Sequence, residues 1–117
     1  MSSKIKESSL HDGKIVVLEP RGNFVGGDET DELRDTIKKL ADDGNKFLVI
    51  DLGEVSYLNS TALGVLIAAH ANYAKREGKI KLCQLNKNIE NLFVITKLSL
   101  IFDSYQSQIE AVASFSI

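Results

Sequence analysis

Two adjacent hydroxyls, Ser60 and Thr61, are the side chains of this sequence best placed to do chemistry. They sit in the string FLVIDLGEVSYLNSTALGVLIAAH, Phe47 to His70. A short apolar run ends there at Asp51, a compact polar turn carries Asn59, Ser60 and Thr61, and a stretch of small and aliphatic residues follows at once. The pattern reads as strand, loop and helix. The first turn of a helix offers N–H groups without acceptors and the positive end of the helix dipole, so a phosphoryl group on either hydroxyl is tolerated locally. That group brings roughly −1.5 to −2 charges at neutral pH, which a partner surface built for a neutral hydroxyl rejects by desolvation cost and repulsion. The same residues also have a plainer use. Asn, Ser and Thr are favoured N-caps because their oxygens accept from the orphan helix N–H groups. Spacing alone leaves both readings open.

The other chemically capable residues are less promising. Asp51 closes a central strand, as the acceptor does in phospho-accepting receiver domains. Those domains also need further acids after an earlier strand and a lysine after a later one. Here Pro20, Arg21 and Gly22 follow the earlier strand and Asp103 and Ser104 the later one, so Asp51 is expected to hold the turn at Gly53 instead. The glycines between Gly22 and Gly27 match neither the P-loop nor the dinucleotide fingerprint. Gly26-Gly27 is expected to allow a tight lead into the first helix. His11 falls in a turn facing water, His70 on an apolar stripe as a partly buried structural residue, and Cys83 in a strand as a small core residue. One cysteine and two separated histidines give no internal disulfide and no metal-ligand pattern. No nucleophile and base can be paired, so no catalytic residue, metal or cofactor is expected, and the chain is not read as an enzyme.

The elements that must position the hydroxyl turn follow from periodicity. Lys4–Ser9 and Lys14–Glu19 are expected to be strands joined through His11-Asp12-Gly13 as an antiparallel hairpin. PRGNFVGGDET then reads as a loop. The first helix is expected to take Asp28 as N-cap with Asp31 three residues on, to bury Leu33, Ile37, Leu40 and Ala41, and to stop at Gly44. Phe47–Asp51 reads as a strand buried on both faces, hence central and parallel. The second helix spans Thr61 to Arg76, with Leu63, Leu66, Ile67, His70 and Ala74 on one face. It is apolar around so much of its circumference that it is either buried on most sides or offers a face to a partner. Ile80–Leu85 is the next strand. A third helix follows, capped by Asn86 or Asn88, with Ile89, Leu92, Phe93 and Thr96 as its stripe. A strand at Leu100–Phe102 precedes a last helix capped near Asp103, with Ile109, Val112 and Ala113 inward. The order β-β-α-β-α-β-α-β-α predicts an α/β layer fold, a small mixed, mostly parallel sheet of about five strands flanked by about four helices. Function in such sheets gathers in the loops at the carboxyl ends of strands, here Arg21–Gly27, Leu52–Ser60 and Asn86–Asn88.

The bulk numbers agree with one folded domain over residues 1–117. With 44% hydrophobic and 26% charged residues the chain is not of the disordered class. A net charge of −2 predicts no general attraction for nucleic acid or anionic lipid. The most apolar segment, Ala62 to Ala71, is too short to cross a bilayer, and MSSKIKESSLHDG lacks the apolar run of a signal peptide. A cytoplasmic location with no direct nucleic-acid or membrane contact is expected.

VIDLGEVSYLNSTALGVLIAAH resembles the signature of bacterial STAS domains, the anti-sigma factor antagonists: an apolar strand ending in Asp-Leu/Phe, a short loop, then Asp-Ser-Ser-Gly-Leu-Gly-Val-Leu. The element order matches over nearly the whole chain, from Lys4 to Phe115. The resemblance implies a STAS-like fold and a partner-switching regulator. In that family the unphosphorylated antagonist binds an anti-sigma factor that is also a serine/threonine kinase. Phosphorylation of the hydroxyl pair blocks binding, and a PP2C-type phosphatase restores it. By residue match the usual acceptor is Thr61, with Ser60 as the alternative, Asn59 in place of the family's Asp and Ala62 in place of its Gly. After the second strand, many switchable members carry an acid where this chain has Val25. The implied partner surface is Phe24, Val25, Asn59, Ser60, Thr61 and Ala62. The two missing acids point to an alternative, a STAS-like scaffold or sensor module that binds a partner without phosphate control. The oligomeric state is left open.

Overall fold

The computed structural model describes residues 4–117. The hairpin forms where the turn residues permit it: His11, Asp12 and Gly13 all take positive φ, and the Lys14 N–H donates to the His11 carbonyl. It joins β1 (Ile5–Leu10) to β2 (Ile15–Phe24) in antiparallel register. The remaining elements are α1 (Asp28–Asp42), β3 (Phe47–Asp51), β4 (Glu54–Leu58), α2 (Ser60–Lys75), β5 (Lys79–Cys83), α3 (Lys87–Ile95), a 3₁₀ turn at Leu98–Leu100, β6 (Asp103–Tyr105) and α4 (Gln108–Ala113). The strands make one mixed sheet in the order β1-β2-β3-β5-β6, with β4 paired to β2 beyond the end of β3.

Strand β3 is central and parallel on both sides, as its unbroken apolar run requires. The sheet has six strands where the sequence suggested five. The additional one, β4, lies in what was read as a loop. Residues Ile15–Leu18 of β2 pair with β3, and Arg21–Phe24 pair with β4 in the same parallel sense. β3 and β4 therefore act as one long strand that sidesteps at Leu52-Gly53. The Leu52 N–H turns aside there to donate to the Cys83 carbonyl. Pro20 and Gly22 disguised the second half of β2 as a loop. Pro20 costs little there because its nitrogen faces away from β1, toward the gap between the β3 and β4 pairings where β2 has no ladder bond to make.

Other boundaries differ from the sequence reading: β5 ends at Cys83 and not at Leu85, and β1 runs one residue later than expected. Leu100–Phe102 is not a strand: Lys97 takes a left-handed conformation after α3, the chain turns through Leu98–Leu100, and pairing begins only at Asp103. The N-cap of α1 is Gly27, with Asp28 already helical. The N-cap of α4 is Ser107 rather than Asp103, which turns Ala111 and Val112 inward and leaves Ile109 and Ala113 in solvent.

The two faces of the sheet are unequal. On one, Val16, Leu18, Leu48, Ile50, Ile80 and Leu82 pack against Leu33, Ile37 and Ala41 of α1, Leu63, Leu66 and Tyr73 of α2, and Ile89 and Phe93 of α3. On the other, Ile15, Val17, Val49 and Cys83 are covered by Ala111 of α4, with Phe47, Tyr105, Val112 and Phe115 around them. Lys81 is buried on this thinner face. Its ammonium donates to the carbonyl and hydroxyl of Ser114 at 3.1 and 2.8 Å and lies 4.4 Å from the Phe115 ring centre.

Candidate functional site

The hydroxyl turn is mounted by β4 and β2 together. β4 ends at Leu58, whose side chain is buried, and the Asn59 N–H donates to the Phe24 carbonyl at 3.0 Å. This fixes the start of α2 to the end of β2. Asn59 is the N-cap: its backbone is extended and its Oδ1 accepts from the Ala62 N–H at 3.0 Å, while its carbonyl accepts from the Leu63 N–H. Ser60, expected to contribute to the cap, is instead the first residue of the helix. Both Ser60 and Thr61 are exposed. Their N–H groups, at the first two helical positions, have no acceptor inside the helix.

The loop after β2 lies directly against this turn. Gly26 has φ of +90°, and a β-carbon built on it would stand 3.3 Å from Thr61 Cβ and Cγ2 and 3.5 Å from Thr61 Oγ1. Less than a methyl group of free space separates the loop from the threonine. The loop itself is strapped by Glu29. Its Oε2 accepts from the Val25 N–H at 3.0 Å, the Gly27 N–H at 2.9 Å and the Thr30 hydroxyl at 2.7 Å, while Thr30 Oγ1 accepts from the Gly26 N–H at 2.9 Å. The Thr30 hydroxyl, followed by the Val25 N–H, favours the ionised form and lowers the Glu29 carboxyl from 4.5 to about 2. Two helix N-termini thus meet at Gly26 and Thr61: that of α1 is occupied by its own carboxylate, and that of α2 carries the hydroxyls.

The residues expected to form the partner surface divide sharply. Asn59, Ser60, Thr61 and Val25 are grouped here, and Val25 is 50% exposed. Phe24 and Ala62 do not belong to the surface: both are fully buried. Strand alternation explains Phe24. β2 continues to that residue, so its ring points into the core beside Leu58 while Val25, one residue on, faces out. Ala62 faces inward on α2, so its methyl lies in the core and adds nothing to the exposed turn. Of the second helix's expected stripe, Leu63 and Leu66 are buried, Ile67 and Ala74 are exposed, and His70 is half-buried, edge-on to Phe102 at 5.2 Å. The outward side of α2 presents Gly64, Ile67, Ala68 and Ala71 to solvent beyond Thr61. Tyr57 of β4 is also exposed. Sequence reasoning missed Tyr57, because β4 was not seen, and Glu29. A first-turn acid just after Gly26-Gly27 was the available signal for Glu29.

Asp51 does hold the turn at Gly53, whose N–H donates to Oδ1 at 2.8 Å. Its other oxygen accepts from the side-chain amides of Gln84 and Gln108 at 2.8 and 2.7 Å, and Gln108 also donates to Glu19. The neighbouring Cys83 thiol is pushed up to about 12, first by burial and then by Asp51 and Glu19, which suits a core residue and not a nucleophile. No group of three or more His, Cys, Asp or Glu among the described residues could hold a metal ion. No helix among them is long and apolar enough to cross a membrane.

The STAS domain profile matches residues 8–111. An anti-sigma-B factor antagonist of Listeria monocytogenes is 43% identical over 56 residues, covering 48% of this chain and 49% of that protein. The anti-sigma-B factor antagonist of Bacillus subtilis is 39% identical over 71 residues, covering 61% of this chain and 64% of that protein. These alignments span between about half and two thirds of the relatives' own length. Among solved structures, the Bacillus cell fate determinant SpoIIAA in its phosphorylated form superposes with a TM-score of 0.75 at 13% identity, over 95% of this chain and 98% of that one. That likeness concerns the fold.

Proposed function

The chain belongs to the STAS domain family, and from that membership and the geometry of its hydroxyl turn we propose that it is an anti-sigma factor antagonist working by partner switching. In this reading the unphosphorylated chain binds an anti-sigma factor that is also a serine/threonine kinase. Phosphorylation of Thr61, or alternatively Ser60, releases it, and a PP2C-type phosphatase resets it. It is a cytoplasmic regulator and not an enzyme.

The observation that carries the reading is the division of labour in the turn. Asn59 supplies the cap, so the exposed Ser60 and Thr61 hydroxyls are not consumed by it. A hydroxyl needed as a cap would cost helix stability when modified. One left over at the positive end of a helix, beside an apolar face, can take a phosphoryl group with the fold intact and still spoil an interface. Val25 and Asn59 stand where the family often has acids, which favours a second reading, a partner-binding scaffold without phosphate control. Incubation with anti-sigma kinases separates the two. One phosphate per chain, mapped by mass spectrometry to Thr61 or Ser60, supports the switch. Thr61→Glu should then weaken binding to the cognate kinase by at least tenfold while circular dichroism stays unchanged. Absence of incorporation across such kinases, with undiminished binding by Thr61→Glu, would establish the scaffold.

A further inference from the structure

Glu29 has no counterpart in the residues that the family pattern marks, yet it is the charged group tied most closely to the loop against Thr61. One of its carboxylate oxygens gathers Val25, Gly27 and Thr30, and Thr30 in turn gathers Gly26. Every residue of the Val25–Gly27 loop thereby has its N–H directed into the Glu29–Thr30 pair. The loop is otherwise a weak element: Gly26 and Gly27 add backbone freedom, and Val25, Gly26 and Gly27 are exposed. Its position against Thr61 therefore depends on the Glu29–Thr30 pair, with one carboxylate at its centre.

We propose that Glu29 is a positioning residue of the switch: its carboxylate holds the Val25–Gly27 loop against an unmodified Thr61, and a phosphoryl group on Thr61 loosens that hold. The inference rests on Thr61 being the acceptor, as read above. Two physical effects bear on that hold. The first is steric. The gap between Gly26 and Thr61 is smaller than a methyl group, so a phosphoryl group on Oγ1 cannot lie between them. It either swings out toward the α2 N–H groups or displaces the loop. The second is electrostatic. A near-dianion is added on the residue that Gly26 abuts while the loop is strapped by a carboxylate, and like charges disfavour one another. When the strap loosens, Val25 leaves its place beside Thr61. Phosphorylation then alters both the charge and the shape of the partner surface, and Glu29 supplies the acid that Asn59 and Val25 do not.

The test uses the full chain with phosphothreonine introduced at position 61 during synthesis, so no kinase is required. Amide hydrogen exchange is followed at Val25, Gly26 and Gly27 against core amides of β3. In the unmodified chain these loop amides should be protected, and phosphothreonine at 61 should speed their exchange at least tenfold with β3 unchanged. Glu29→Gln should speed exchange in the unmodified chain to a similar degree, and adding phosphothreonine to it should bring no further increase. Loss of that coupling is a result that a merely structural glutamate would not produce. Thr30→Ser, which keeps the hydroxyl, should retain the wild-type response. Equal loop protection with and without phosphothreonine overturns the proposal, as does a phosphate-induced increase of the same size in Glu29→Gln. Failure to find a kinase that modifies Thr61 would bear on the functional reading alone and would leave the exchange result standing.

Discussion

Asn59 Oδ1 accepts from the Ala62 N–H at 3.0 Å, and this one bond decides which polar residues of the turn are structural and which are spare. Asn59→Ala should destabilise the chain by about 1 kcal/mol, the usual cost of a lost N-cap. Asn59→Asp should stay close to wild type, since its oxygen still accepts and its charge suits a helix N-terminus. Urea unfolding of the three proteins checks this. Wild-type stability in Asn59→Ala would show that Ser60 can take over the cap, and the separation of roles would be lost.

Phe24 and Val25 are neighbours with opposite tasks. Phe24 is fully buried, so Phe24→Ala should cost about 3–5 kcal/mol, the range for emptying an aromatic core site. Val25→Ala should change stability by no more than about 0.5 kcal/mol, as an exposed substitution, yet weaken binding to an anti-sigma partner. Thermal melts paired with a binding titration distinguish them. Full binding by Val25→Ala would remove the loop from the interface.

Gly26→Ala meets two obstacles, a φ of +90° and a β-carbon 3.3 Å from Thr61. It should cost about 1 kcal/mol or more. Gly22→Ala is a matched control: φ is +103°, but nothing lies within 4 Å of the added carbon. Thr61→Ser removes the methyl that Gly26→Ala crowds, so it should partly rescue that variant and leave Gly22→Ala unchanged. A double-mutant cycle on urea midpoints reads the coupling directly. Simple additivity would mean the loop and the turn are not in contact in solution.

The Glu29 carboxyl lies at about 2, below its ordinary 4.5, because the Thr30 hydroxyl and then the Val25 N–H bond its ionised form. A carboxyl lowered by folding adds stability above about pH 4.5 and surrenders it as pH falls toward 2. The stability gap between wild type and Glu29→Gln should therefore be open at neutral pH and closed near pH 2. A side-chain carboxyl titration by NMR should show the same low midpoint. A midpoint at the ordinary value would mean the strap does not persist in water.

Much of this was legible in the residues themselves. The unbroken apolar run at Phe47–Asp51 could only be a central strand, and the α1 stripe Leu33, Ile37 and Ala41 packs as its spacing required. The hydroxyl turn could be located because a strand, a cap residue and a helix adjoin there. What escaped were features that depend on remote pairing. β4 is too short and mixed to declare itself, and it is a strand because Arg21–Phe24 of β2 lie beside it. Phe24 looks like a loop residue until that pairing turns it inward, and Ala62 is turned inward by its place on α2. Glu29 is one of several acids at the start of α1, and only the folded loop shows which of them three donors converge on.

Lys81 gives the molecule a built-in direction of give. The α4 face is closed by a few apolar contacts and by an ammonium ion held on Ser114 and Phe115, and water would solvate that ion on opening. The opposite face, where α1, α2 and α3 lie on the larger cluster, has no comparable buried ion among the described residues. Local opening should therefore be easier on the side away from Thr61, as amide exchange of α4 against α1 and α2 would show. A partner docking on α2 would then meet a helix already set, with ordering entropy left to the Val25–Gly27 loop.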